Sequence, residues 1–338
     1  MAGIKYQIKS AFEEINEIGN SKIKAREDGD YSKIHSIKYF VDALDTGVKF
    51  GEYCKEHFGI KKIFDIRSDH YNSYIKYKEN QGCTKGHLIN IESHLKRLQL
   101  GMEELSRPDK MNLPFTPFVE KRLISSSQRE QPKDRSYTKY EIENLKKNFS
   151  PNVRNAMELS LSLGLRIKEV CNIRVEHIVE SNGNLKLFIP EKENGGGKGI
   201  TKGGRFRDVP IPRKFEQKIR QLINGKKPKQ KILDVKQGTL RSALKRSCDK
   251  LKIKSKGWHG FRHTYARNRL EDLLEDKKEV GKEIIRIMLM NREKHQNSLK
   301  GLEDHKDLQF VLDKINQVHS ELGHGKNRWG LLAVYLSF

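Results

Sequence analysis

The chain has 338 residues, enough for two domains with a core in each. Its 67 lysines and arginines against 44 aspartates and glutamates give a formal charge of +23 and a pI of about 9.7, far beyond what solubility requires, so a polyanionic partner is expected. The most apolar run, WGLLAVYLSF, is too short to span a bilayer, and neither a signal peptide, a lipidation motif nor a basic amphipathic helix with an aromatic face is present.

A soluble, cytoplasmic, nucleic-acid-binding protein is therefore expected, without a membrane partner. Cys54, Cys83, Cys171 and Cys248 are scattered without CxxC spacing, which suits reduced thiols rather than zinc or disulfides.

From residue 1 to 105 the apolar positions recur with helical spacing, as in Phe40, Leu44 and Val48, and again in Ile89, Ile91, Leu95 and Leu98. This predicts a helical first domain. Between 106 and 135, Pro108, Pro114, Pro117 and Pro132 and a run of three serines interrupt the pattern, which predicts an extended linker. Thr138 and Glu141 have the form of a capping box and open a second domain, 136–338.

That domain starts helical through NAMELSLSLGL and then alternates as strands do, in LKLFIP (185–190) and RFRDVPIP (205–212), joined by the glycine-rich ENGGGKGITKGG. Helices are expected at about 213–224, 238–251 and 259–275. A charged segment, 272–306, contains the apolar IIRIMLM. A last amphipathic helix follows, carrying Leu308, Val311, Leu312, Ile315 and Leu322. The fold class is mainly α with a small β-hairpin or sheet (α+β).

Several short stretches carry residue types suited to phosphate chemistry. Arg166 follows Gly164 at a helix corner in LSLGLRIKEVCNI, with Glu169 three residues on, and Lys202 lies in the glycine-rich strand connection TKGGRFRDVPI. In GWHGFRHTYA, His259 and Arg262 stand one helical turn apart, so both can face one phosphate. His324 ends a helix in ELGHGK, and Tyr335 sits in the apolar terminal segment.

Taken singly, each has an ordinary reading as a solvated arginine, a basic hairpin tip, a helix start, a histidine on a helix dipole or a core tyrosine. Two other motifs are excluded. Gly197-Lys198 is followed by Gly199, with Lys192 where a P-loop needs glycine, and Gly260 stands where the glutamate of a zinc-protease HExxH would be.

In this chain order and in these local frames, GLRIKEV, TKGGRFRDVPI, HGFRHTYA and ELGHGK…AVYL, the second domain resembles the tyrosine recombinase (phage integrase) family. The ending resembles integrases of bacterial mobile elements. The first domain resembles that family's helical, SAM-like core-DNA-binding arm.

The resemblance implies site-specific cleavage and rejoining of double-stranded DNA through a 3′-phosphotyrosine and a Holliday junction, without metal, ATP or other cofactor. It implies Tyr335 as nucleophile and Arg166 and Arg262, with His324, as clamps on the nonbridging oxygens. Lys202 would be the general acid with Lys198 as next candidate, His259 would assist proton transfer at the tyrosine, and Glu169 would support the arginines. It further implies a homotetramer on two DNA sites, with accessory DNA-bending or directionality factors, in a prokaryotic nucleoid. A DNA-binding regulator without strand exchange and a type IB topoisomerase share the fold or the chemistry.

Two spacings depart from the family's habit. HxxR and GH lie farther apart than usual, the surplus being 272–306, and Tyr335 lies farther from His324. The chain ends three residues beyond Tyr335, where many relatives have a longer tail that grips the neighbouring protomer. The insertion is accordingly expected to make the contact between protomers through IIRIMLM, or else to form a local helical hairpin on its own domain.

Overall fold

The computed structural model describes residues 3–128, 130, 134–181, 183–191, 199–201 and 205–336. The chain divides into two compact units, Met1–Gln131 and Pro132–Phe338.

The first unit contains α1 (Ile4–Glu13), α2 (Lys22–Glu27), α3 (Ile37–Phe58), α4 (Ser68–Asn80) and α5 (Lys85–Ser106). Its long helices start where the sequence supplies a cap: Ser36 accepts from the Tyr39 N–H and Thr84 from the His87 N–H. The face of α3 most deeply buried is Ala43, Gly47, Phe50 and Cys54, with Phe40, Leu44 and Val48 partly buried beside it. Small residues take the central position because α1 lies so close. A Cβ on Gly47 would come within 2.9 Å of the Phe12 ring.

The segment expected to be an extended linker is irregular, and much of it is fastened to the first unit. Phe118, Val119 and Ile124 are buried in that unit's core. Gln99 Oε1 accepts the backbone N–H groups of Phe118 (3.0 Å) and Val119 (2.6 Å), Lys96 donates to the Val119 carbonyl (3.0 Å), and Glu92 accepts from the Leu123 N–H (2.6 Å). Glu92, Lys96 and Gln99 share one face of α5 and satisfy a backbone that forms no ladder of its own.

The second unit opens on the capping box: Glu141 N–H to Thr138 Oγ1 at 3.2 Å and Thr138 N–H to Glu141 Oε2 at 2.7 Å. It continues through α6 (Lys139–Asn148), α7 (Pro151–Leu163) and α8 (Ile167–Val170) to the strands β1 (Ile178–Ser181), β2 (Asn184–Ile189) and β3 (Arg207–Pro210). These form one antiparallel sheet in the order β1-β2-β3, with Leu187 paired to Ile178 on one side and Val209 on the other. The two expected strands are β2 and β3. The sequence does not announce β1, because IVES is short and places no alternate residues in the core.

Helices α9 (Arg213–Ile223), α10 (Gln237–Leu251), α11 (His259–Leu274), α12 (Lys278–Glu293), α13 (Leu308–Glu321) and α14 (Leu332–Tyr335) complete the unit. Helix α11 is central, packing on α7, α13 and α14. The fold is mainly α with a small antiparallel sheet.

The insertion is not an apolar surface awaiting a neighbour. Ile284, Ile285 and Met288 of α12 are buried in the second unit's own core, and α12 packs on α11, α13 and α14. The return from α12 is tied locally, since Asn291 donates to the carbonyls of Ser298 (3.2 Å) and Lys300 (2.8 Å), and Lys277 pairs with Asp307 at 2.8 Å. Of the two expectations for 272–306, the locally packed one describes the structure, and the apolar stretch that motivated a contact between protomers is internal.

Candidate active site

Six of the seven sequence-selected residues converge in the second unit: Arg166, Glu169, His259, Arg262, His324 and Tyr335. Lys202, with the alternative Lys198, lies outside the described residues.

Local sequence places each group. Helix α7 stops at Gly164, whose φ of +59° ends the helix in the left-handed region, and Arg166 becomes the N-cap of α8. Glu169, three residues on, accepts both the Arg166 backbone N–H (2.8 Å) and its guanidinium (2.7 Å). His259 and Arg262 occupy the first turn of α11. Gly260 lies between them because the chain before α6 presses on that turn: a Cβ there would sit 2.6 Å from the Arg135 carbonyl and 2.5 Å from the Tyr137 ring.

At the end of α13, Gly323 takes φ +68°. The His324 N–H bonds the His319 carbonyl at 2.7 Å and the Gly323 N–H the Ser320 carbonyl at 2.7 Å, a Schellman termination that turns His324 inward.

Arg262 is fully buried and is held by main-chain carbonyls, Gly164 at 2.6 Å and Leu322. Its Nε has no hydrogen-bond partner. Arg166 and Arg262 each point an Nη2 at His324 Nε2, both at 3.4 Å. The Tyr335 hydroxyl lies 3.0 Å from His259 Nε2, and its ring lies 5.8 Å from the Arg262 guanidinium carbon. The same ring packs against His263 and His324, with centroids 4.7 and 5.2 Å apart. Tyr265, the other tyrosine beyond Tyr140, donates instead to Glu321 at 2.6 Å, buried beneath the site.

Sequence reasoning missed the residue that ties these segments together. Arg207 of β3 is fully buried and donates to the carbonyls of Leu163 (2.7 Å) and Glu321 (2.6 and 2.9 Å) and to Glu169 Oε2 (2.7 Å). It thereby binds the approach to Arg166, its carboxylate support and the approach to His324. The available signal was strand parity. Arg207 and Val209 face the same side, so a core-facing Val209 puts Arg207 inside.

The electrostatics suit an anion. Arg166, Arg207 and Arg262 surround one buried carboxylate. Burial alone would raise the pKa of Glu169, but the three arginines outweigh it and hold the group below the usual carboxylate range. Burial, then Arg207 and Arg166, lower Arg262 to about 9, still a cation at neutral pH. Burial first, then His263 and the arginines around it, hold His259 at about 3; burial and Arg135 hold His263 at about 4; and burial with Arg262 and Arg166 drives His324 far below the ordinary imidazole range. The free site is thus guanidinium-rich with neutral imidazoles.

Residues 135–278, all within the second unit, match the phage integrase family model. No curated protein sequence matches the chain.

Among solved structures, a lambda integrase dimer bound to a COC′ core site shares the fold at 12% identity and a TM-score of 0.57, over 98% of this chain and 77% of that one. The XerH site-specific recombinase bound to its difH substrate does so at 13% identity and 0.52, over 99% and 94%. The Tn1549 transposon integrase in complex with circular-intermediate DNA does so at 11% and 0.51, over 98% and 95%. At these identities the likeness is one of fold. Among the described residues, no helix is long and apolar enough to cross a membrane.

Proposed function

We propose that the protein cleaves and rejoins double-stranded DNA at specific sites through a 3′-phosphotyrosine on Tyr335 and a Holliday-junction intermediate. The observation that carries this reading is the Tyr335 hydroxyl, 3.0 Å from a neutral histidine and beside a buried guanidinium that has an unpartnered N–H.

His259 Nε2 accepts the phenol proton as the oxygen attacks phosphorus. Arg166 and Arg262 neutralise the nonbridging oxygens, and the point on which both converge beside His324 is the place for one of them. Glu169 and Arg207 position Arg166. Lys202 protonates the leaving 5′-oxygen. Since the phosphotyrosine retains the bond energy, a 5′-hydroxyl of a second strand reseals it by the reverse steps. The first unit grips the DNA as the core-binding arm, and four copies assemble on two sites, supported by the DNA-bound dimers and tetramers described for lambda integrase.

A nicked suicide substrate traps the adduct. Tyr335→Phe removes one hydroxyl and little surface, so DNA binding is retained and the adduct disappears. A 3′-linked adduct from that variant would overturn the assignment.

A further inference from the structure

Behind His324 lies a second histidine for which the chemistry above has no use. His319 is fully buried in the last turn of α13, and both of its ring nitrogens lack a hydrogen-bond partner, as does Nδ1 of His324. The two rings stand edge-on with centroids 5.9 Å apart. Their proximity is set by the backbone. The Schellman bond from the His324 N–H to the His319 carbonyl juxtaposes the two side chains that flank the turn, a position usually filled by an apolar pair. Here it is filled by two imidazoles.

The tautomer of His324 follows from its other nitrogen. The Nη2 groups of Arg166 and Arg262 are obligate donors aimed at Nε2, so Nε2 carries the lone pair and the ring proton is on Nδ1, on the side away from the arginines. A bound phosphodiester engages those arginines and asks Nε2 to donate as well. His324 then needs protons on both nitrogens, and its Nδ1–H needs a neutral acceptor in a buried place. The remaining groups around His324 are Arg205 and Tyr335, and Arg328 lies near His319. The two arginines among these can only donate and the Tyr335 hydroxyl is engaged by His259 Nε2, which leaves the His319 ring as the acceptor placed by the turn.

We propose that His319 is a positioning residue that accepts the Nδ1–H of His324, directly or through one water, and so allows His324 to become a doubly protonated donor to the scissile phosphate when DNA binds. The added proton comes from solvent on binding and returns on release. The inference rests on the reading of Tyr335 as nucleophile, so the parent protein is first shown to form the adduct; its failure there would refute that reading and not this one.

The test compares His319→Phe with His319→Gln, whose amide oxygen restores an acceptor. Single-turnover cleavage of the suicide substrate is followed from pH 6 to 9, alongside imidazole ¹⁵N spectra of the free protein. An imidazolium that loses its acceptor deprotonates more easily. The phenylalanine variant should therefore bind DNA normally, cleave about tenfold or more slowly at pH 8, and lose activity with rising pH about one unit earlier than the parent. The glutamine variant should recover most of both, and the His324 Nδ1–H resonance should move in the phenylalanine variant alone. A pH profile unchanged in His319→Phe, equal impairment of both variants, or a His324 ring protonated on Nε2 in the free protein would each overturn it. Should the phenylalanine ring prevent folding, His319→Met supplies the apolar arm of the same comparison.

Discussion

Arg207→Met removes the buried guanidinium while keeping much of the side-chain volume. The loss can be worked from its contacts. Glu169 Oε2 loses its 2.7 Å ion pair and keeps only the more distant Arg262 at 3.8 Å and the Arg166 backbone N–H, while the Leu163 and Glu321 carbonyls lose their Arg207 donor. Removing one partner of a buried ion pair typically costs about 3–5 kcal/mol. For a unit of roughly 200 residues, each kcal/mol moves the melting temperature by roughly 2–4 °C, so a fall of roughly 6–20 °C is expected. Both tryptophans, Trp258 and Trp329, belong to the second unit, so tryptophan fluorescence follows its unfolding selectively. Adding Glu169→Gln to Arg207→Met should cost less than the sum of the two single changes, because the second change removes the stranded charge. A fall below about 3 °C, or strict additivity in that cycle, would refute the argument that Arg207 holds the segments together.

Stability should also depend on pH. His263 and His319 are held at about 4 by burial first, then by Arg135 and Arg328 respectively, against an ordinary value of 6.5. Between these limits the unfolded chain binds protons that the folded chain does not. The second unit should therefore be insensitive above pH 7 and weaken as pH falls from 6.5 to 5, by up to about 1.4 kcal/mol per pH unit for each histidine; His319→Phe should flatten that slope in urea titrations, and an unchanged slope would contradict it. Gly260→Ala forces a methyl against the Arg135 carbonyl and the Tyr137 ring and should destabilise by about 1–3 kcal/mol, measured by the same fluorescence, with DNA cleavage reduced because His259 and Arg262 flank it. Lys202→Ala should slow cleavage of ordinary DNA, and a 5′-phosphorothiolate substrate, whose sulfur leaves without a proton, should restore most of the rate; absence of rescue would transfer the general-acid role to another group such as Lys198.

What could be read from the sequence was whatever is encoded locally. Period, caps and breakers located α11, α13, the Thr138 capping box and the helix stop at Gly164, because a helix start or stop is decided by residues within one turn. The candidate site was legible for a related reason: Arg166, His259 with Arg262, His324 and Tyr335 each sit in a short frame whose residue types suit phosphate chemistry. Three features were not legible. Strand parity with Val209 offers an inward side for Arg207, but that it ties Leu163, Glu169 and Glu321 together follows only from the packing of β3 beneath α7 and α13. The prolines of 106–135 announce an irregular chain but not its docking, which depends on Glu92, Lys96 and Gln99 reaching it from the preceding helix α5, onto which the chain folds back. The apolar run of α12 has the composition of either an interface or a core. The choice was made by whether α11, α13 and α14 left a face for it to cover, and burial is a property of what surrounds a residue rather than of the residue itself.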